Sequence, residues 1–338
     1  MSLALNALLT VFWHPPFMKI ASLKKHSVHF LLPVFAGFFL CAPESKAWDP
    51  TGHMLVNQIA WHDLNPVARE KVSSLARLIE SQFNDNRPYN FITLGCWMDD
   101  MRAKPGYQWS KWHYVDGPWT KSGEPFKEPP PPHALWAIDR AISIIKDSKA
   151  AKLARAEALA QLVHIVGDIH QPLHCTTWDD RGGNAYLITR VPFSDITEKQ
   201  TANLHTFWDR AFRFDKKNGR IVETYRAIPA EERPGEPDSG RINAIATGIM
   251  ERFPESALSQ LKKAGNHHAW AQESHAIGCR LAYPDRPHPD NTEVVPLDPD
   301  FVHTAHEIAN RQIALAGYRL ARLLNGLLGQ YGGVEAND

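Results

Sequence analysis

A histidine and an aspartate stand four residues apart in the segment His164-Ile-Val-Gly-Asp168-Ile-His170-Gln-Pro-Leu-His174. On an α-helix, residues i and i+4 lie on one face, so His164 and Asp168 could bind one metal ion together. Both residue types are standard zinc ligands. The neighbouring residues are apolar, which predicts a helix buried nearly all round, and a buried carboxylate beside imidazoles needs a cation. The segment therefore favours a metal site over a surface His–Asp pair.

The residues that follow this pair differ in what they can do. Pro172 is expected to stop or kink the helix, which lets His174 turn back toward the face of His164 as a further ligand. His170 lies about 240° from His164 on a helical wheel. It is therefore expected to have a structural or supporting role and not to be a ligand.

A second His–Asp pair, His205 and Asp209, has the same spacing in N-L-H-T-F-W-D at 203–209. It also lies among apolar and aromatic residues on a predicted helix. Two such pairs in one chain are much stronger evidence for metal binding than either pair alone.

Two further segments place charged or imidazole side chains among aromatic residues. Arg102 stands beside two carboxylates, where it could form a structural salt bridge or hold a phosphate through two parallel hydrogen bonds. Tyr114, taken alone, is more typical of a core residue than of a surface on which a base stacks. The segments are W-M-D-D-M-R at 97–102 and W-H-Y-V-D at 112–116.

The first 47 residues have the pattern of a secretory signal peptide. A short basic stretch begins at Met18, and an apolar run follows at 28–40, too short to span a bilayer. A small-x-small cleavage site at 45–47 completes the pattern. We interpret Met18 as the natural start, with residues 1–17 upstream of it. The mature protein is then expected to be exported, to a periplasm or to the medium, with a membrane anchor as the alternative.

Cleavage at this site would make Trp48 the first residue of the mature protein. Its free α-amino group and its own carbonyl oxygen can chelate a metal as a five-membered ring, and His53 could complete that site. Three cysteines would remain, which could form one disulfide and leave one thiol. The sequence does not choose the pair among Cys96, Cys175 and Cys279.

Composition and charge exclude several classes of protein. The 338 residues include 37 basic and 37 acidic side chains, and the hydrophobic fraction of 43% is ordinary for a globular protein. Disordered chains, collagen-like repeats and basic nucleic-acid coat proteins are thereby excluded. Without residues 1–47, 33 basic and 36 acidic side chains remain. No global positive field therefore attracts a polyanion, and a nucleic acid would need a local site.

Helical periodicity dominates the mature chain, residues 48–338. The pair Asn65-Pro66 is typical of a helix start and predicts a helix over 67–83, while residues 84–132 are predicted to be mostly loop. No internal repeat or linker divides the chain, so we predict one compact, mostly α domain with a small β-hairpin that includes a strand over 186–191. Further helices are predicted at 134–145, 150–171, 199–214, 238–252, 255–264, 268–282 and 300–328.

The candidate ligands form a set of nitrogen and oxygen donors without a thiolate. Such a set, with several carboxylates, suits a catalytic multinuclear zinc site better than a structural zinc site. A site of this kind can generate a water nucleophile near neutral pH and neutralise charge on a phosphate. The candidates are Trp48, His53, Asp99, His113, His164, Asp168, His174, His205 and Asp209.

The order of the motifs resembles that of a known family, the trinuclear zinc nucleases that prefer single strands (the fungal S1/P1 type and the plant bifunctional nucleases). The resemblance extends to the C-terminal helix, with W-A-Q-E-S-H at 270–275 and A-G-Y-R-L-A-R-L-L-N at 316–325. It implies a helical fold with a small hairpin, of the phospholipase C/P1 nuclease kind. It also implies hydrolysis of single-stranded DNA and RNA to 5′-phosphate products, with 3′-nucleotidase activity. The motifs are W-x-x-x-G-H, W-x-D-x-x-R, W-H-Y-V-D, H-I-V-G-D-I-H-Q-P-L-H, D-R-G-G-N and N-L-H-T-F-W-D.

The same resemblance implies how three zinc ions would be held. Asp99 is selected over Asp100 because the family spacing is W-x-D. Asp168 would be shared between the first and the third ion. The ligands would be Asp99, His113, His164 and Asp168 for the first ion, His174, His205 and Asp209 for the second, and Trp48 and His53 with Asp168 for the third.

The resemblance implies contacts to the substrate as well. Arg102 would stabilise charge on the phosphate and, with Asp99 and Asp168, would form the catalytic set. Tyr114 would stack on a base and Asp116 would hydrogen-bond its edge. The cleft would also be lined by residues of the glycine-rich turn, Asp180 and Asn184.

Three alternatives to a nuclease stay open at this point. A zinc phospholipase C has a similar fold, but that family carries H-x-x-x-E where this chain has H-x-x-x-D in its second pair, and turnover of phosphatidylcholine against single-stranded DNA separates the two. A non-enzymatic exported zinc-binding or adhesion protein would bind zinc without phosphodiesterase activity. An exported helical protein with purely structural His and Asp would bind no metal. Single-stranded nucleic acids and 3′-nucleotides are the expected partners, no stable protein partner is implied, and a monomer is expected.

Overall fold

Ten α-helices form most of the part of the chain that the computed structural model describes, residues 48–79, 89–189, 202–262, 266–284 and 293–330. All of these residues belong to one compact unit. The predicted signal peptide at 1–47 lies outside them. The helices are α1 (Pro50–Asp63), α2 (Pro66–Ala76), α3 (Phe91–Leu94), α4 (Trp97–Asp100), α5 (Ala134–Lys146), α6 (Lys152–Asp168), α7 (Leu204–Trp208), α8 (Gly240–Arg252), α9 (His267–Leu281) and α10 (Pro299–Leu328).

Three helices, α1, α2 and α10, begin with a proline that follows a capping Asp or Asn. Proline fixes a helical φ at a position whose N–H has no partner within the helix, and the capping side chain accepts a free backbone N–H of the first turn. At α2 the Asn65 side chain accepts from the backbone N–H of Ala68 at 2.9 Å. This confirms the predicted helix start. The helix ends at Ala76, and residues 80–88, into which the predicted helix extends, lie outside the described residues.

Helix α6 lies in the core of the molecule, packed along α5 and in contact with α1, α2, α4 and α10. From Ala156 to Asp168, every residue except Glu157 is buried, which confirms the prediction that the His164 helix is buried nearly all round. Helix α1 packs closely against α10, because a Cβ at Gly317 would lie 2.5 Å from the Cβ of Ile59. The two helices together place the start of the chain against the core.

The β-hairpin lies elsewhere than the sequence predicted. It consists of β1 (Phe214–Lys217) and β2 (Arg220–Glu223), paired antiparallel. The turn residues Asn218 and Gly219 both have positive φ angles, 51° and 73°, the conformation that a tight hairpin turn of this type requires. The structure describes residues 186–189 of the strand predicted at 186–191. These residues form isolated bridges only, so the prediction is wrong for them.

Several segments are also less regular, or more regular, than predicted. Residues 204–214 contain the short helix α7 and a 3₁₀ turn instead of one long helix, and 255–262 forms two 3₁₀ turns. Conversely, α3 and α4 lie within the segment predicted as loop. These short helices matter because α4 carries Asp99. No helix in the described part of the chain is both long enough and apolar enough to cross a membrane.

Candidate active site

Helix α6 and the turn that follows it bring the first predicted ligands together. The α-helix ends at Asp168, and a 3₁₀ turn begins at Pro172 and carries His174 back toward the site, as predicted. His174 Nδ1 then donates to the carbonyl oxygen of His113 at 2.5 Å. This hydrogen bond connects the His174 turn to the W-H-Y-V-D segment, which contains His113.

Four predicted ligands, Asp99, His113, His164 and Asp168, form what we call the first cluster. His113 Nδ1 lies 3.0 Å from His164 Nε2 and 2.9 Å from Asp168 Oδ2. His164 Nε2 lies 3.4 Å from the same Asp168 oxygen and 3.9 Å from Asp99 Oδ1. Atoms that surround one tetrahedral zinc ion are separated by about 3.3 Å, given bonds of about 2.0–2.1 Å. The donor atoms of His113, His164 and Asp168 are therefore spaced like ligands of a common ion, and Asp99 joins them from the side of His164, where it also lies within 4.8 Å of His53.

The second cluster consists of His174, His205 and Asp209. Its two imidazoles face each other, with 3.0 Å between the Nε2 atoms, and His205 Nε2 lies 3.4 Å from Asp209 Oδ1. His205 Nδ1 donates to the carbonyl oxygen of Gly182 at 2.5 Å. A carbonyl oxygen only accepts hydrogen bonds, so the Nδ1 atoms of His174 and His205 both carry protons. In the neutral rings, the two facing Nε2 atoms therefore both present lone pairs. Two lone pairs at this distance repel each other unless a cation lies between them.

His53 approaches the first cluster from α1. Its Nε2 lies 3.3 Å from Asp168 Oδ1, the oxygen that does not face His113 and His164. The His53 ring stacks on His164, with 3.9 Å between ring centroids. The two oxygens of Asp168 therefore face different imidazoles, as a carboxylate shared between two metal ions would.

Trp48 is fully buried, and its side chain and that of His53 both lie against Gly167 of α6. Its indole Nε1 donates to the carbonyl oxygen of Gly167 at 2.9 Å. The next residue, Asp49, donates its backbone N–H to the carbonyl oxygen of Asp209 at 3.0 Å. The start of the predicted mature chain is thus held between α6 and the second cluster, while the predicted cleavage site at 45–47 lies outside the described residues.

The charges of the site are not balanced by protein groups alone. Burial is the main cause that lowers the pKa of four imidazoles and raises the pKa of two carboxyl groups. Both ring nitrogens of His53 and Oδ1 of Asp168 are buried without a hydrogen-bond partner. Neutral imidazoles and buried carboxylates in this arrangement fit divalent cations, which would satisfy both. The imidazoles are those of His53, His113, His164 and His174, and the carboxyl groups are those of Asp168 and Asp209.

The two adjacent aspartates of α4 differ in their surroundings. Asp99 faces His164 and lies 2.9 Å from Arg102 Nε. Asp100 instead accepts two hydrogen bonds from Arg233, at 2.6 and 3.0 Å, and one from the Tyr89 hydroxyl at 2.9 Å. The geometry thus agrees with the choice of Asp99 as the candidate ligand.

Several side chains that orient the ligands were not found from the sequence. The Tyr107 hydroxyl lies 2.5 Å from His113 Nε2, and Gln171 Nε2 donates to Asp209 Oδ1 at 2.8 Å. His164 Nδ1 donates to the carbonyl oxygen of Gly95 at 2.7 Å. Such contacts hold ligand rings in one orientation. Tyr107 belongs to no motif that would have marked it, and Gln171 lies inside the 164–174 motif but was given no role from the sequence.

His170 has the supporting place that the sequence predicted. Its Nδ1 donates to the carbonyl oxygen of Val166 at 2.7 Å, and its Nε2 accepts from Arg319 Nη1 at 2.9 Å. Burial, together with the positive charge of Arg319, lowers the pKa of His170 to about 3. His170 therefore connects α6 to α10 as a neutral ring.

The predicted substrate contacts lie around the two clusters. Tyr114 is half-buried directly after His113, and Asp116 adopts a positive φ of 54°. Desolvation and the nearby Asp180 carboxylate raise the pKa of Asp116, although its side chain is partly exposed to solvent. Tyr114 and Asp116 thus follow the His113 ligand position directly in the chain, and Asp116 lies near Asp180 of the glycine-rich turn.

The glycine-rich turn supports the second cluster through its backbone. Asp180 is buried and accepts from the Tyr283 hydroxyl and from the Trp178 backbone N–H, each at 3.1 Å. Asn184 Nδ2 donates to the carbonyl oxygen of Arg181 at 2.8 Å. The contacts of Asp180 and Asn184 thus stabilise the turn that contributes the Gly182 carbonyl group.

The three cysteines of the described chain are buried free thiols: Cys96, Cys175 and Cys279. Cys175 Sγ and Cys96 Sγ donate to backbone carbonyl oxygens, of Ile169 at 3.3 Å and of Pro50 at 3.5 Å. Burial is the main cause that raises the pKa of Cys96 to about 12. The thiols therefore serve as small core side chains in this structure.

Comparison with known proteins identifies the family. A family model described as S1/P1 nuclease matches residues 48–329. The chain belongs to the S1/P1 nuclease family. It is therefore a nuclease, a hydrolase that acts on nucleic acids, and its family is metal-dependent.

Individual relatives match over most of their length. Endonuclease 2 of Arabidopsis thaliana is 26% identical over 323 residues, which cover 89% of this chain and 98% of that protein. Nuclease P1 of Penicillium citrinum is 25% identical over 290 residues, 83% of this chain and 98% of that protein. Nuclease S1 of Aspergillus oryzae is 24% identical over 310 residues, 89% of this chain and 98% of that protein. In this S1/P1 family member, the two clusters and His53 are thus the candidate catalytic centre.

Proposed function

We propose that this protein is an exported, zinc-dependent nuclease that cleaves single-stranded DNA and RNA to 5′-phosphate products and removes 3′-phosphates from nucleotides. The Asp168 carboxylate is the observation that carries the proposal. Its Oδ1 faces His53 at 3.3 Å while its Oδ2 faces His113 and His164 at 2.9 and 3.4 Å. A fully buried carboxylate that divides its oxygens between imidazoles in this way matches a bridge between two cations.

The donor set supports zinc. All nine candidate ligands are buried and present nitrogen or oxygen atoms only, and imidazole with carboxylate suits zinc in catalytic sites. When bound, zinc ions supply Lewis-acid activation of water and neutralisation of charge on a phosphate. Three ions would be held by the first cluster, by the second cluster, and by Trp48 and His53 together with Asp168.

Arg102 would bind the phosphate group of the substrate. It is half-buried in the 3₁₀ turn that follows α4, and an ion pair of 2.9 Å between its Nε and Asp99 Oδ1 restrains the guanidinium. A guanidinium fixed in advance stabilises negative charge that develops on the phosphate oxygens without reorganising during the reaction. This would make Arg102 and its partner Asp99 parts of the catalytic set, together with Asp168.

Tyr114 and Asp116 would recognise the base. An aromatic ring beside the reacting phosphate offers a stacking surface to any base, and only an unstacked base can occupy it. That requirement favours single strands over duplexes. Asp116 is exposed to solvent three residues after His113, where its carboxylate oxygens could accept hydrogen bonds from a base edge.

Export and cleavage after residue 47 would complete the site. Cleavage converts the Trp48 backbone nitrogen from an amide, which is a poor ligand, to an amine that can bind a metal. The family model match, which begins at Trp48, supports this boundary. The burial of Trp48 and its indole bond to Gly167 would hold the new terminus near His53.

Three isosteric variants test the ligand assignment. Asp168→Asn and Asp99→Asn should each lose activity on single-stranded DNA and at least one zinc ion, because an amide in place of the carboxylate lacks the negative charge. Asp100→Asn is the matched control, since Asp100 lies next to Asp99 but binds Arg233 and Tyr89. It should keep its zinc and its activity per folded molecule. A full zinc content and a near-normal rate in Asp168→Asn would contradict the bridging role.

Product analysis tests the reaction itself. Purified protein that begins at Trp48 should convert single-stranded DNA and RNA to 5′-mononucleotides, and a chelator should abolish this activity. Cleavage of duplex DNA at the same rate would contradict the unstacking argument. Turnover of phosphatidylcholine in place of nucleic acid would indicate a phospholipase, and bound zinc without any phosphodiesterase activity would indicate a binding protein.

A further inference from the structure

A second group of histidines and carboxylates lies at the surface between α5 and α9, away from the motifs of the nuclease site. Asp139 belongs to α5, while His267 and His268 are the first two residues of α9. One donor atom from each of the three residues lies within 4.8 Å of the others. Because 128 residues separate Asp139 from His267 in the sequence, only the packing of α5 and α9 brings them together.

We propose that Asp139, His267 and His268 bind a divalent transition-metal ion of the zinc class at this surface. His267 Nε2 lies 3.0 Å from Asp139 Oδ1, and His268 Nε2 lies 3.4 Å from Asp139 Oδ2. These separations are close to the value of about 3.3 Å for donors around one tetrahedral zinc ion. Three protein ligands would leave the fourth position to water.

His267 gives independent support, because its Nε2 atom is buried and makes no aligned hydrogen bond. The side chain is only 8% exposed, and its Nε2 is buried without a hydrogen-bond partner. The nearby Asp139 oxygen is close enough but not aligned for a hydrogen bond. An imidazole nitrogen that is buried, without an aligned hydrogen-bond partner and close to a carboxylate is the kind of atom that a metal ion would satisfy.

Glu128 fixes the orientation of His268. Its Oε1 lies 2.6 Å from His268 Nδ1, so in the neutral ring Nδ1 carries the proton and Nε2 presents its lone pair toward Asp139. A carboxylate that holds the far nitrogen of a ligating histidine is the usual supporting contact of a metal site. The N-terminal end of α9 is positive and would repel a cation. The negative charges of Glu128 and Asp139 reduce this repulsion.

An ion at this position would clamp the first turn of α9 to α5. Further along α9, His275 Nδ1 lies 3.0 Å from the carbonyl oxygen of Cys175, which follows the His174 turn. The clamp would therefore stabilise a helix that packs behind the second cluster. It would not touch the substrate, and we expect its effect in stability and metal content and not in the catalytic step.

Metal counting on the full protein tests the proposal. Wild-type protein and its variants are equilibrated with micromolar free zinc, and bound zinc is measured per molecule. Wild type should hold one more ion than Asp139→Asn and His268→Ala, and zinc should raise the thermal unfolding midpoint further in wild type than in either variant. Both changed side chains are at least one-third exposed, so the fold should tolerate them, and the nuclease rate at saturating zinc should be unchanged.

A matched control separates a metal site from an ordinary surface pair. His303 and Asp215 also form an exposed His–carboxylate contact, at 2.6 Å, and His303→Ala should keep the wild-type number of ions. Glu128→Ala should weaken binding of the additional ion about 10- to 100-fold. Equal zinc content in wild type, Asp139→Asn and His268→Ala would overturn the proposal.

Discussion

Gly167 allows α6 to approach His53 closely, and Gly167→Ala therefore tests whether His53 is a metal ligand. Gly167 lies one residue before Asp168 and has no side chain to push His53 away. A Cβ built at this position would lie 2.9 Å from His53 Nδ1 and 3.3 Å from its Cε1. The added methyl group touches none of the proposed donor oxygens, so its effect must act through the position of the imidazole.

The expected size of the effect follows from this contact. Ordinary van der Waals contact begins near 3.4 Å, so the imidazole must move by about 0.5 Å, whereas metal–ligand distances tolerate about 0.2 Å. We expect the zinc ion at His53 to bind about 10- to 100-fold more weakly, which is the usual loss of metal affinity when the supporting contacts of a ligand are disturbed. Helix propensity favours alanine by about 1 kcal/mol, and overpacking costs about 1–3 kcal/mol. The metal-free protein should therefore be at most about 2 kcal/mol less stable.

Gly248→Ala is the matched control for this substitution. Gly248 lies within α8, and a Cβ there would meet no atom within 4 Å. This variant should gain about 1 kcal/mol in the free energy of unfolding, with unchanged zinc content and activity. Bound zinc is measured against a buffered free-zinc series, and unfolding by urea is measured without metal. If Gly167→Ala bound every zinc ion with wild-type affinity, the reasoning about His53 would be refuted.

Three other outcomes are expected. Protein that begins at Trp48 should bind more zinc and cleave single-stranded DNA much faster than protein extended by one residue before Trp48; equal values would remove the terminal amine from the ligand set. Tyr114→Ala should raise KM and weaken base preference at unchanged zinc content, and an unchanged KM would contradict stacking. His170 has a pKa of about 3 in the folded protein, below its unfolded value of about 6.5, so its contribution to stability is present above pH 6.5 and is lost as the pH falls toward 3. Between pH 7 and pH 5, the free energy of unfolding of the wild type should therefore fall by about 2 kcal/mol more than that of His170→Gln. Equal falls in urea titrations of the two proteins would contradict a buried neutral His170.

Helical geometry explains why the ligand pairs were predictable from the sequence. A spacing of four residues places His164 above Asp168, and His205 above Asp209, wherever the helix lies in the fold. The structure shows both pairs with 3.4 Å between the paired donor atoms. Helix starts were predictable for a similar reason, since a cap such as Asn65 bonds within its own first turn.

The hairpin shows where local prediction chose the wrong segment. The sequence Asn218-Gly219 is a strong hairpin signal, and it lies inside the β1–β2 turn of the structure. The prediction instead followed the apolar residues at 186–191. Those residues alternate too briefly to distinguish a paired strand from extended chain, and their partners, Asn203 and Val295, are distant in the sequence.

Tertiary packing alone decided which distant groups meet. The sequence pairs His164 with Asp168, but the approach of His53 to the opposite Asp168 oxygen depends on how α1 packs against α6. The contact between Tyr107 and His113 depends on a loop conformation that no periodicity encodes.

The surface site between α5 and α9 depends on packing even more strongly. Neither Asp139 nor the pair His267-His268 forms a recognisable metal motif in its own segment, and only the packed helices bring them within reach of one ion. Hydrogen bonds and side-chain periodicity within a helix act over four residues, so local sequence is sufficient for them. The distances between helices follow from the fit of all side chains in the core, and no single segment of the sequence contains that information.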